Sequence, residues 1–130
     1  MLDTNTCIFI IKRKPPAVLG RFLRHEVGDL GISTITLSEL RYGVAKSGHR
    51  EKNARALEEF ILPFEIAMFD EAAALAYGEI RAALEQAGTP LGAMDMLIAA
   101  HAVSLGVTLI THNTREFSHI PRLEVADWTD

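Results

Sequence analysis

The stretch "MDMLIAAHAVSLGVTLIT", residues 94–111, decides the fold. Residues 94–106 form helices readily and are apolar almost all round, which predicts a deeply packed helix. "VTLIT" (107–111) is a continuous run of β-branched and aliphatic residues, which predicts a strand covered on both faces. A buried helix running into such a strand belongs to a layered α/β fold.

The same alternation extends outward. Leu2 reads as the end of a short strand, and Asp3 can cap a helix reaching about Ile11. Pro15 and Pro16 can start a second helix with Leu19, Phe22 and Leu23 on its apolar face. "DLGIST" (29–34) predicts a buried strand and "TLSELRYGVAKS" (36–47) a helix. "EKNARALEEFI" (51–61) is amphipathic, and "FEIAMF" (64–69) is a strand candidate. In "DEAAALAYGEIRAALEQAG" (70–88), Ala73, Tyr77, Ile80 and Leu84 make one stripe, and Gly88 suits the helix end. "LEVADW" (123–128) can add a last strand. Strands apolar on both sides, alternating with helices, imply a mostly parallel central sheet flanked by helices. Function in such folds gathers at the carboxyl ends of the strands.

The chain has 130 residues, enough for one domain, and its 48% hydrophobic content is that of a globular protein. No apolar run approaches the roughly 18–20 residues of a membrane span, and no signal peptide is apparent. One cysteine, Cys7, can form neither an internal disulfide nor a Cys-based zinc site, so a reducing cytoplasm is expected. The net charge of −4 hides a division. Residues 1–55 carry ten Lys/Arg and five Asp/Glu (+5), whereas residues 56–130 carry three and twelve (−9). A basic half can attract a polyanion, although solvated helix faces would give the same count.

Four acids can share one sheet edge: Asp3, Glu39 and Glu116 follow strands, with Asn113 beside the last, and Asp95 opens the apolar helix before "VTLIT". Carboxylates gathered at one sheet edge repel each other and must take up protons or a cation. Hard oxygen ligands select Mg²⁺ or Mn²⁺. Such an ion beside a basic surface suits phosphodiester hydrolysis. Each acid also has a plainer reading. Asp3 and Asp95 can be helix caps, Glu39 can complete a capping box with Thr36, and Glu116 can be a solvated loop acid. The histidines lack zinc-site spacing, and there is no phosphate loop or nucleophile elbow.

The stretches "MLDTNTCIF", "ISTITLSELRYG", "GTPLGAMDMLIAAHA" and "LITHNTREFSHIPRLEVADW" resemble the PIN-domain ribonucleases, and within them the VapC-type toxins of bacterial toxin–antitoxin pairs. The resemblance covers nearly the whole chain as a single domain, 1–130. It implies a three-layer α/β sandwich and a Mg²⁺- or Mn²⁺-dependent endoribonuclease. Structured RNA, in transfer RNA or ribosomal RNA loops, would be its substrate, and a VapB-type antitoxin its partner. Asp3, Glu39 and Asp95 match the family's first three acids. The fourth position departs: Asn113 stands where these domains often carry Asp, and Glu116 is the substitute, with the Asn113 amide oxygen available to the metal. Asn5 and Thr111 match polar positions that arrange the acids. Metal-activated water would attack an RNA phosphate, with Arg13, Lys14 and Arg41 as candidate backbone contacts. Tyr42 can stack on an unpaired base or pack in the core. A homodimer is expected from the resemblance and from the small residues of 70–88. Two rivals stand beside this reading. One is an inactive binding module, hinted at by Asn113. The other is a haloacid-dehalogenase-type phosphatase, which Asn5 in place of its second Asp disfavours.

Overall fold

The computed structural model describes residues 1–129. In chain order the elements are α1 (Thr4–Lys12), α2 (Pro16–Leu23), β1 (Gly31–Ser33), α3 (Thr34–Ala45), α4 (Arg50–Ile61), β2 (Glu65–Ala67), α5 (Glu71–Ala87), α6 (Ala93–Leu105), β3 (Leu109–Ile110), α7 (Thr114–Phe117) and β4 (Val125–Ala126). β1 pairs with β2 and β3 with β4, both in parallel. The N-terminal segment joins the two pairs. Leu2 bridges Ile110 in parallel and donates its amide to the Gly31 carbonyl at 3.0 Å. The ladder therefore runs β2–β1–(residues 1–3)–β3–β4, all in one direction, as expected of strands separated by helices.

The strands are short, and the sheet is held by what covers it. One apolar core lies between the sheet, α5 and α6, and includes Ile80, Leu84, Ile98, Ala99, Leu109 and Phe117. The other lies beneath α1–α4 and includes Leu2, Ile10, Val18, Ile32, Leu57, Phe64 and Ile110. The side chains of Leu109 and Ile110 enter opposite cores, as alternation along a strand requires. This is the three-layer sandwich expected from the sequence.

α6 is buried at Met96, Ile98, Ala99, Ala100, His101 and Ala102, so its uniformly apolar sequence reflects cover on several sides. Ala73 and Ala76 are buried in the core that α5 shares with α6. Part of the small-residue stripe expected to serve a dimer is therefore spent within the chain. Asp70 and Gly88 cap α5, Asp70 by accepting from the Ala73 amide at 3.0 Å and Gly88 with φ of 72°.

Two local expectations are corrected. Leu23 is 70% exposed, because α2 turns Val18 inward instead. Glu39 and Thr36 form no capping box. α3 begins at Thr34, and Ser33 caps it by accepting from the Ile35 amide, so Glu39 lies beyond the first turn.

Candidate metal centre

Asp3 follows the central strand position and is 4% exposed. Its Oδ1 accepts from the Thr6 amide at 2.9 Å, and its own amide donates to Ile110 at 3.0 Å. One carboxylate oxygen thus caps α1 and fixes the side chain, while Oδ2 has no hydrogen-bond partner among the described residues. The cap and the candidate ligand are the same residue.

Glu39 reaches this edge from α3, where Oε1 accepts from the Thr4 hydroxyl at 2.5 Å. Asp95 lies in the first turn of α6, whose N-cap position is Gly92, so it is not the cap. Glu116 lies in α7, one short loop beyond β3, and is exposed. Asn113 holds the N-cap position of α7, but its side chain makes no cap hydrogen bond. Thr111 is fully buried and accepts from the Asn113 amide at 3.0 Å, which shapes the turn carrying Asn113 and Glu116. Asn5, by contrast, is exposed and makes no hydrogen bond to the acids among the described residues. Thr4 supplies the supporting contact that was expected of Asn5. That contact spans 35 positions and leaves no mark in local sequence.

The acids act on one another electrostatically. Burial first, and then the charges of Asp3, Glu39 and Glu116 in that order, push the Asp95 carboxyl up to about 6. All four predicted acids are therefore close enough to couple. As placed, no three His, Cys, Asp or Glu side chains among the described residues converge into an ion-binding group. Glu39 is engaged by the Thr4 hydroxyl. The donor set still fits a hard divalent cation: it is all oxygen, carries up to four negative charges, and includes an Asp95 whose ionisation is opposed until positive charge arrives. Asp3, Glu39, Asp95 and Glu116 would hold the ion, with Asn113 beside them.

The predicted basic contacts are dispersed. Arg13 caps α1 in the left-handed conformation, with φ of 58°, and Lys14 follows it; both are exposed. They sit at the far end of a nine-residue helix, about 14 Å from Asp3. They are placed for flanking backbone rather than for the reacting phosphate. Arg41 is paired with Glu58 of α4 and is not a free cation. Tyr42 is 65% exposed, which removes the core-packing alternative, and the Lys46 ammonium lies 4.8 Å from its ring centre. Lys12, not singled out from sequence, lines a groove with Glu39, Ile8, Ile11, Leu40 and Val44.

The strand order and the edge bearing four coupled acids define a class, and comparison with known proteins agrees. The PIN domain family model matches residues 1–123, and the chain belongs to the PIN-domain family. Within that family it is a VapC-type toxin, a group of RNA-cleaving hydrolases. It is 47% identical over 128 residues to the tRNA(fMet)-specific endonuclease VapC of Salmonella typhimurium, spanning 98% of this chain and 96% of that one. To Ribonuclease VapC2 of Rickettsia felis it is 40% identical over 129 residues, with 98% and 96% coverage. The DNA-bound VapBC structure from Salmonella typhimurium superposes with a TM-score of 0.92 at 47% identity, covering 98% of this chain and 96% of that chain. VapBC2 from Rickettsia felis, bound to a promoter DNA fragment, also gives 0.92, at 39% identity with 98% and 97% coverage.

Proposed function

We propose that the protein is a Mg²⁺- or Mn²⁺-dependent endoribonuclease that cleaves structured RNA at the edge bearing Asp3, Glu39, Asp95 and Glu116. The observation that carries this reading is the coupling of Asp3, Glu39 and Glu116 to Asp95, whose carboxyl burial and then these three charges push up to about 6. A bound divalent ion would supply a nucleophilic water at neutral pH and charge stabilisation at the phosphoryl oxygens. The chain's own residues do the rest. The Thr6 amide fixes the rotamer of Asp3, and the Thr4 hydroxyl orients Glu39. Thr111 positions the loop that presents Asn113 and Glu116. Lys12 lines the same groove as Glu39, while Arg13 and Lys14 would engage RNA backbone farther out. Tyr42 and Lys46 form an exposed aromatic–cation pair on the helix that carries Glu39, suited to an unstacked base.

Transfer RNA is the substrate class we favour, because two relatives, at 47% and 45% identity, are named tRNA(fMet)-specific endonucleases. A VapB-type antitoxin is the proposed partner, since the superposing structures are VapBC complexes. The apolar groove of about 330 Å³ beside Glu39, between α1, α3 and α4, is where we place its contact. A homodimer and a cytoplasmic setting complete the proposal.

The test is cleavage of initiator transfer RNA by the purified protein with EDTA, Mg²⁺ or Mn²⁺, alongside Asp3→Asn. Asparagine keeps the cap and removes the charge. Metal-dependent cutting that Asp3→Asn abolishes is the expected result. Equal cutting by both proteins, or full activity in EDTA, overturns the site.

A further inference from the structure

His101 has no part in the chemistry described so far. Its side chain is fully buried on α6, the helix that carries Asp95. Nδ1 lies 2.8 Å from the Oγ of Ser33, which is also fully buried. Ser33 ends β1 and caps α3, the helix that carries Glu39, by accepting from the Ile35 amide at 3.0 Å. Among the described residues, no other side-chain hydrogen bond leaves α6. The segment after β2 closes over the same junction. The Phe69 ring meets the imidazole in a T-shaped contact at 5.4 Å, and the Phe69 amide donates to the Thr34 hydroxyl at 3.2 Å.

Burial lowers the imidazole pKa below its ordinary value, and the Asp70 charge and the Met68 main chain only partly offset it, so the ring is neutral at pH 7. A neutral ring carries one N–H. Ser33 Oγ already accepts from Ile35, and its own proton has no other acceptor among the described residues. That proton is used when Ser33 donates to Nδ1, which puts the ring N–H on Nε2. Nε2 is buried without a hydrogen-bond partner among the described residues. A leucine would fill the space without burying an unpaired N–H. Packing alone therefore does not account for a histidine here, whereas an acceptor for Ser33 does. Glu39 lies six residues after Ser33, and Asp95 six before His101, about 9 Å along each helix. At one end α3 and α6 are tied by this hydrogen bond, and at the other their carboxylates couple. We propose that His101 is a positioning residue, whose Nδ1 accepts from Ser33 and fixes α3 against α6 at the spacing with which Glu39 and Asp95 share one cation. The inference rests on the metal-centre reading given above.

The experiment compares the unaltered chain with His101→Leu and His101→Asn. An asparagine Oδ1 can stand near the Nδ1 position and accept from Ser33, and leucine cannot. Mn²⁺ alone is titrated by calorimetry at pH 7, Tm is taken in EDTA, and the ring tautomer of the unaltered chain is read by ¹⁵N NMR. The ring is expected to carry its proton on Nε2. His101→Leu is expected to melt no lower than the unaltered chain, yet to bind Mn²⁺ at least about tenfold more weakly, and His101→Asn to recover most of that loss. A ring protonated on Nδ1, full Mn²⁺ affinity in the leucine variant, or equal losses in both variants overturns the proposal. The tautomer is read without any substitution, so it decides even where the leucine variant does not fold. An unaltered chain that binds no Mn²⁺ overturns the metal-centre reading itself, and this role with it.

Discussion

The two edges of this sheet are built from the same strands and carry different surfaces. At the carboxyl edge, Asp3, Glu39 and Glu116 are coupled to Asp95, which burial and their charges raise to about 6. At the amino edge lies a cavity of about 550 Å³ whose lining includes Leu30, Val107, Ile110 and Trp128. The first edge is electrostatic in character, so pH and cations act on it; the second is more apolar, so they act on it little. A fold can therefore place both about the same short segment, residues 1–3, and keep their chemistry separate.

The strongest way to break this contrast is Asp95→Asn. Cleavage of RNA is expected to fall at least about a hundredfold, while the metal-free protein becomes more stable at pH 7 by on the order of 1 kcal/mol, once solvent screening is allowed for. Urea unfolding in EDTA beside a cleavage assay checks both. Loss of stability together with activity would mean that Asp95 supports the fold rather than strains it.

Next comes pH. A carboxyl raised from 3.8 to about 6 binds its proton more tightly in the folded state than in the unfolded one. Its contribution to stability is full below about pH 3.8 and is lost as pH rises toward 6 and beyond. Metal-free protein should show this decline in its urea midpoint. Mn²⁺ at about a hundred times its Kd should offset it by about 2.7 kcal/mol at neutral pH.

A third comparison separates the two duties of Asp3. Asp3→Ala should cost about 1 kcal/mol more stability than Asp3→Asn, because only the alanine loses the cap to Thr6, while both abolish cutting. Thermal melts of the two variants decide it. The smallest expected effects separate the basic residues. Lys12→Ala should slow cleavage about threefold and reduce the salt slope of RNA binding by about one. Arg41→Ala should change neither beyond experimental error, since its charge is engaged by Glu58.

Much of this was legible in residues 94–111 and their surroundings, because period and burial coincide there. A helix apolar all round is a helix covered on several sides, and a run such as "VTLIT" has no polar side to turn to water. Three of the acids could be picked out because each follows a strand and strand ends share an edge, and Asp95 because it opens the apolar helix that leads into "VTLIT". What failed was local grammar with two valid parses. Thr36 and Glu39 have the spacing of a capping box, but Ser33, ending a three-residue strand, starts the helix earlier. Leu23 has helical phase with Leu19, yet α2 ends there and leaves it in solvent. Asn5 looked like the supporting polar residue because it lies beside Asp3. The support comes from Thr4, and nothing short of the packing of α1 on α3 reveals it.

The hydrogen bond from the Asp3 amide to Ile110 also sets a clock. Residues 1–3 leave a ribosome well before the strand that holds them, more than a hundred residues later in the chain, is made. A nascent chain that has not reached Ile110 has no ladder for Asp3, and one that has not reached Glu116 lacks an acid. Synthesis runs at about 5–20 residues per second. For the seconds this takes, a growing chain carries its first carboxylate without the site. The protein's destructive chemistry, on the reading proposed above, is withheld from the ribosome that makes it until Ile110 and Glu116 have been made and the ladder and the last acid are in place.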